Sequence, residues 1–151
     1  METIEKSIEV NAPLREVYNQ WTQFEEFPKF MEGVDEVRQI SDKRLFWKAR
    51  LWGKTEEWEA EIYEQIPDRR IAWRSVVGAP NAGAVSFRAI SPGVTEVILS
   101  LSYQPLGITE QIGDALGLVS RKVEGDLKRF REFIEERGRA TGAWRGEIKE
   151  A

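Results

Sequence analysis

The 151-residue sequence predicts an α+β domain in which a curved, seven-stranded antiparallel sheet wraps around one long C-terminal helix. Three observations predict it. Residues 34–104 break into short segments of period two, separated by turn residues. Residues 109–137 carry an unbroken apolar stripe at helical spacing. A single strand and two short helices come before both. Antiparallel strands cannot bury their apolar face alone, so the long helix must cover it. Strand twist curls a sheet of this size around such a helix, and curvature leaves room between the two.

Each element has its own signal. In residues 2–10, Ile4, Ile8 and Val10 alternate with Thr3, Glu5, Ser7 and Glu9, with Lys6 out of place on the apolar face. Asn11 is a helix cap by composition, and Pro13 suits a first turn. Val17, Tyr18 and Trp21 then give helical spacing to about residue 22. A second short helix is expected from Glu25 to Met31, entered or interrupted at Pro28. Strands follow at Val34–Ile40, 44–52 and 55–66. A Gly53-Lys54 turn, with Gly first, suits type II′. That register sets Arg50 against Glu57, Lys48 against Glu59, Ala49 against Trp58 and Trp47 against Ala60. Pro67-Asp68-Arg69 turns the chain into a strand through Ile71, Trp73, Ser75 and Val77. A loop at 78–83 leads to a strand through Val85, Phe87 and Ala89; after Ser91-Pro92-Gly93 comes one through Val97, Leu99, Leu101 and Tyr103, ended by Pro105 and Gly107. The helix stripe is Ile108, Ile112, Leu116, Val119, Val123, Leu127, Phe130 and Ile134, with Thr109 as cap and Gly138 as stop. Residues 1–138 form the domain; 139–151 read as a mobile tail in which Trp144 and Ile148 are the groups able to dock.

Composition excludes several function classes. With no cysteine there is no disulfide, thiolate nucleophile or thiolate metal site. With no histidine, the commonest general base and zinc ligand is missing. No metal site and no cofactor are expected. A net charge of −4 argues against nucleic acid as a partner. No apolar run is long enough to span a membrane. Met1 to Lys6 lack a basic flank and apolar core, so no signal peptide is predicted and the cytoplasm is the default compartment. Six tryptophans must fill a core or line a pocket.

Several stretches, in this order and spacing, carry a family resemblance. They are Ile8-Glu9-Val10-Asn11-Ala12-Pro13 before Val17-Tyr18, Trp21 through Phe27-Pro28-Lys29-Phe30-Met31, and Pro67 with Arg70 to Ser75. Gly83 to Phe87, Thr95-Glu96-Val97 through Tyr103-Gln104-Pro105, and Gly142 to Gly146 continue the match. Over residues 3–137 the chain resembles the START-like (Bet v 1-like, SRPBCC) superfamily, and within it the bacterial polyketide cyclase/dehydrase group. The resemblance implies a helix-grip fold. It implies function only broadly, since members include aromatic polyketide cyclases, lipid and coenzyme Q carriers and hormone receptors, and one fold hosts many activities.

The expected ligand site is the space between sheet and C-terminal helix. Alternation turns Trp47, Trp58, Trp73, Phe87 and Tyr103 inward, joined by Leu101 and by Leu116 and Val123 of the helix. The same aromatics also suit a packed core. Ser75, Tyr103 and Lys6 are the polar groups on apolar faces; a snorkelling Lys6 is the simpler reading. Phe27, Phe30 and Met31 are candidates for the pocket mouth, with Phe24 and the 78–83 loop beside them. Packing of the short helices onto the sheet would occupy the same phenylalanines. Glu57, Glu59 and Glu61 read as a solvated face paired with Arg50 and Lys48 rather than as a metal site, and Asp114, Glu124 and Asp126 read as a solvated face of the long helix. The resemblance implies Arg and Tyr groups that hold a polyketide, but Arg74 and Arg88 fall on the outward face.

The sequence favours a binder of a hydrophobic small molecule: a lipid, quinone or polyketide-like compound. No catalytic residue is assigned. A polyketide cyclase/dehydratase acting by positioning in the same cavity is the alternative; it needs an acid or base, and no inward carboxylate is evident. A third reading is a closed-core interaction module or homodimer, with Phe46 and Trp52 as outer-face contacts.

Overall fold

The computed structural model describes residues 2–51, 53–78, 80–103 and 112–149, with side chains except at 2, 51, 103 and 112–116. The strands are β1 (Glu2–Val10), β2 (Val34–Ser41), β3 (Arg44–Leu51), β4 (Lys54–Ile66), β5 (Arg70–Val77), β6 (Asn81–Ser91) and β7 (Val94–Tyr103). Between β1 and β2 lie helix α1 (Leu14–Trp21) and a 3₁₀ helix (Phe24–Lys29). Helix α2 (Ile112–Arg137) follows β7. The seven strands form one antiparallel sheet in the order β1-β7-β6-β5-β4-β3-β2. This is the helix-grip arrangement.

The stripe on α2 explains its position. Val123, Leu127, Phe130 and Ile134 are buried. Phe130 meets Trp21 of α1 edge-on at 4.8 Å and Phe30 at 5.3 Å. Gly138 ends the helix at φ +74°, its N–H donating to the Ile134 carbonyl at 2.9 Å, so a residue free of Cβ terminates it in left-handed geometry. The proposed cap Thr109 and stripe residue Ile108 lie outside the described residues, as does Trp52.

The structure corrects several local expectations. Asn11 does not cap α1: Pro13 holds the cap position without a side-chain bond, and the Asn11 N–H donates to Glu135 Oε2 at 2.7 Å. Residues 81–83 belong to β6, so the connection from β5 is shorter than the expected 78–83 loop. The β3–β4 register is displaced by two residues. Leu51 pairs with Lys54, Gly53 takes φ +78° in second rather than first place in the turn, and Trp47 faces Trp58 while Lys48 faces Glu57. A shift of two keeps each side chain on its predicted face but exchanges its partners. Arg44 and Arg74 accordingly pair with Glu59 at 3.1 Å and Glu61 at 3.2 Å, and Arg50 pairs with Asp35 at 3.1 Å. Extra residues at Val76 of β5, opposite Glu59 and Ala60, and at Tyr63 of β4, between Ile62 and Glu64, break strict alternation, and both Ile71 and Ala72 of β5 are buried.

The tail is docked. α1 buries Asn19, Gln20 and neighbouring Thr22, and buried polar groups need partners. Residues 140–145 supply them. The Thr141 N–H donates to Gln20 Oε1 at 2.9 Å, and Gln20 Nε2 donates back to Thr141 Oγ1 at 3.1 Å. The Trp144 N–H donates to Thr22 Oγ1 at 3.1 Å, and Arg145 donates to Asn19 Oδ1 at 2.6 Å and pairs with Asp68 at 2.7 Å. Beyond them Ile148 and Gln65 exchange both backbone bonds at 2.8 Å, so the tail covers part of β4.

Candidate functional site

A cavity of about 380 Å³ lies between the sheet and α2, with Met31 to Val34 along one side. Trp47 and Trp58 form one wall. Direct partners across β3 and β4, they stack with centroids 5.7 Å apart and planes within 7°. Trp73 of β5 adds a third indole, and Leu99 and Leu101 of β7 continue the surface. Across from them α2 contributes Leu118, Val119 and Val123. Trp73 fits because its partner on β6 is Gly83, where a Cβ would lie 2.5 Å from the indole.

Of the expected site residues, the structure brings Trp47, Trp58, Trp73, Leu101, Val123 and Met31 to this one cavity. The others are elsewhere or undescribed. Phe87 is core: it packs edge-on against Tyr18 at 5.4 Å and Trp21 at 6.3 Å, drawn to the α1 side of the sheet. Ser75 pairs with Ala60 beyond the cavity wall. Phe27 and Phe30 do not form the mouth. They are 2% exposed, Phe27 against Trp47 at 5.6 Å and Phe30 against Phe133 at 5.5 Å, because the 3₁₀ helix turns both rings into the core. Pro80 and Asn81, from the expected mouth loop and the start of β6, do line the cavity. The side chains of Tyr103 and Leu116 lie outside the described residues. Lys6 is not in the wall; it pairs with Glu124 at 3.0 Å, and that bond with the ammonium charge lowers the Glu124 pKa. Phe46 is half-buried under the Arg38 guanidinium, 4.9 Å from the ring.

The polar part of the wall was not evident in the sequence. Asp126, expected on a solvated face, is 7% exposed. It accepts from Lys122 at 2.6 Å, from Arg129 at 2.6 Å and from the Glu32 N–H at 3.0 Å. Arg129 also donates to the Phe30 carbonyl at 2.9 Å. Lys122 and Asp126 both line the cavity, with Glu32, Arg50, Asn81 and Ser102 as further polar groups. One signal could have found the helix pair: residues 119, 122, 123 and 126 share one helical face, so Lys122 and Asp126 flank apolar Val119 and Val123. The buried Asp126 carboxylate beside the Lys122 ammonium is an acid–base arrangement in this wall, and it leaves Lys122 with N–H groups to offer a bound oxygen.

The family model for polyketide cyclase/dehydrase and lipid transport proteins matches residues 10–132. An uncharacterised 17.2 kDa protein from the melC2-rnhH intergenic region of Streptomyces lincolnensis is 48% identical over 98% of this chain and 99% of its own. Among solved structures, the ZhuI aromatase/cyclase of a Streptomyces species superposes with TM-score 0.76 at 16% identity, over 95% of this chain and 99% of its own. A START superfamily protein of Mycobacterium smegmatis superposes with TM-score 0.74 at 13% identity, over 89% of this chain and 97% of its own. At such identities these two likenesses speak for the fold. With a family match across most of its length, the chain belongs to the polyketide cyclase/dehydrase and lipid transport family, and its curved sheet and gripping helix are the fold that these solved structures share.

Proposed function

We propose that this protein binds an apolar, largely flat small molecule (a lipid, quinone or polyketide-like compound) between its sheet and α2, without transforming it. The observation that carries this reading is the cavity of about 380 Å³ walled by Trp47, Trp58 and Trp73. That volume falls in the range of small-molecule sites, and a mostly apolar wall with a few polar groups is their usual chemistry. A closed-core interaction module would have filled this space. Cyclisation of a polyketide chain is the second reading, favoured by the Asp126–Lys122 pair in the wall. A pocket that folds a poly-ketone into one shape accelerates ring closure by orientation, and the ammonium could stabilise an enolate oxygen.

Native mass spectrometry of the purified protein, followed by denaturing extraction, tests the binding reading. A co-purified apolar molecule near one per chain is expected, or, in its absence, saturable uptake of the neutral dye N-phenyl-1-naphthylamine. A clean apo mass with no dye uptake would overturn it. Turnover of a linear poly-ketone by the same preparation would make the second reading the correct one.

A further inference from the structure

We propose that Lys122 is the polar anchor of the cavity and that the molecule it selects is an apolar body with a single anionic oxygen group, such as a carboxylate. This rests on the binding reading and adds the chemistry of the ligand's polar end.

The case begins with charge. Two cations, Lys122 and Arg129, serve one buried carboxylate, Asp126. Asp126 is engaged on both oxygens: it accepts from both cations and from the Glu32 N–H. Arg129 is committed to Asp126 and to the Phe30 carbonyl. Its remaining ionic neighbour, Glu32, lies 3.8 Å away with a side chain 79% exposed, so solvent screens that charge. Lys122 differs. Asp126 is its one hydrogen-bond partner among the described residues, it lines the cavity, and an ammonium carries three donors. With the Glu32 charge screened by solvent, Lys122 presents an ammonium with donors to spare at a mostly apolar wall whose other polar groups are Glu32, Arg50, Asn81, Ser102 and Asp126.

The fold also holds that ammonium in place. Lys122 is on the last element of the chain, while the Glu32 N–H and the Phe30 carbonyl lie at the exit of the 3₁₀ helix. Asp126 and Arg129 tie the two segments together. Asp126 is thus a positioning residue for Lys122. A donor fixed in advance at an apolar wall favours an anionic acceptor, because a charge-assisted hydrogen bond is stronger there than in water.

Competition against bound N-phenyl-1-naphthylamine tests this, with dodecanoate and its methyl ester as a matched pair. The wild type is expected to prefer the carboxylate by about tenfold or more. Lys122→Met should bring that ratio to near one, and Lys122→Arg should keep it. Asp126→Asn, if folded by circular dichroism, removes the opposing carboxylate charge but also the group that holds the ammonium, so the preference should persist and become more sensitive to salt. Equal displacement by acid and ester in the wild type, with the dye bound, would overturn the anchor and leave the cavity reading standing. So would a preference that survives Lys122→Met. Absence of dye uptake would overturn both.

Discussion

The indole of Trp73 occupies the space that a side chain at Gly83 would need. The two are direct partners across β5 and β6, and a Cβ built on Gly83 falls 2.5 Å from Trp73 Cζ2 and 2.9 Å from Leu101 Cδ2. Any larger residue must push the ring or the leucine, and both line the cavity. Gly83→Val is expected to destabilise by about 1–3 kcal/mol, as overpacking does. It should also cut dye uptake, because the displaced ring has the cavity to move into. Thermal melts and dye titration of one preparation check both; unchanged uptake would mean that the ring swings away from the cavity.

Trp73 and Phe130 separate pocket from core. Phe130 is wholly buried between Trp21 and Phe30, and Phe130→Ala is expected to cost about 3–5 kcal/mol. Trp73 is half-buried on the cavity wall. Trp73→Ala should weaken dye binding by about tenfold while lowering Tm less than Phe130→Ala does. Equal losses of binding and stability at Trp73 would make it a core residue.

The docked tail predicts a truncation phenotype. Ending the chain at Gly138 removes the partners of Asn19, Gln20 and Thr22 and uncovers the edge of β4 at Gln65. At about 1 kcal/mol net per hydrogen bond, losing several lowers Tm by roughly 5 °C or more in a domain of this size. An uncovered strand edge also invites pairing between chains. Size-exclusion chromatography at two concentrations should show stronger self-association for the truncated chain than for the full-length one.

Tyr18 supplies an alkaline signature. Burial raises its pKa above the ordinary 10.0; the hydrogen bond from Gln65 and the charge of Arg145 oppose this, and the charge of Asp68 adds to it. The folded state thus favours the neutral phenol, and the unfolded chain ionises first. The contribution is complete below about pH 10 and is lost as pH rises toward the folded value. Phenolate absorbance during an alkaline titration should show one tyrosine ionising late, and Tyr18→Phe should remove that step.

Much of this molecule is legible along the chain. Period two and period 3.6 are local properties, so the strands, the α2 stripe and the inward direction of Trp47, Trp58 and Trp73 follow from residue order. Local pattern does not carry partnership. The β3–β4 register escaped because a shift of two residues keeps every face, and charge complementarity alone did not choose between the two alignments. Phe87, Phe27 and Phe30 are apolar whether they line a cavity or fill a core, and that choice depends on how closely α1 and the 3₁₀ helix approach.

What the sequence determined by itself is the set of elements, their order, the need for a helix to cover the sheet, and the absence of cysteine and histidine chemistry. Tertiary structure alone decided that Trp47 stacks on Trp58, that residues 139–149 dock, and that Asp126 is buried between Lys122 and Arg129. The physical reason is distance along the chain. Asp126 meets the Glu32 N–H across 94 residues, and Arg145 reaches Asn19 across 126. A charged residue on a helix reads as solvated until the fold brings another segment over it.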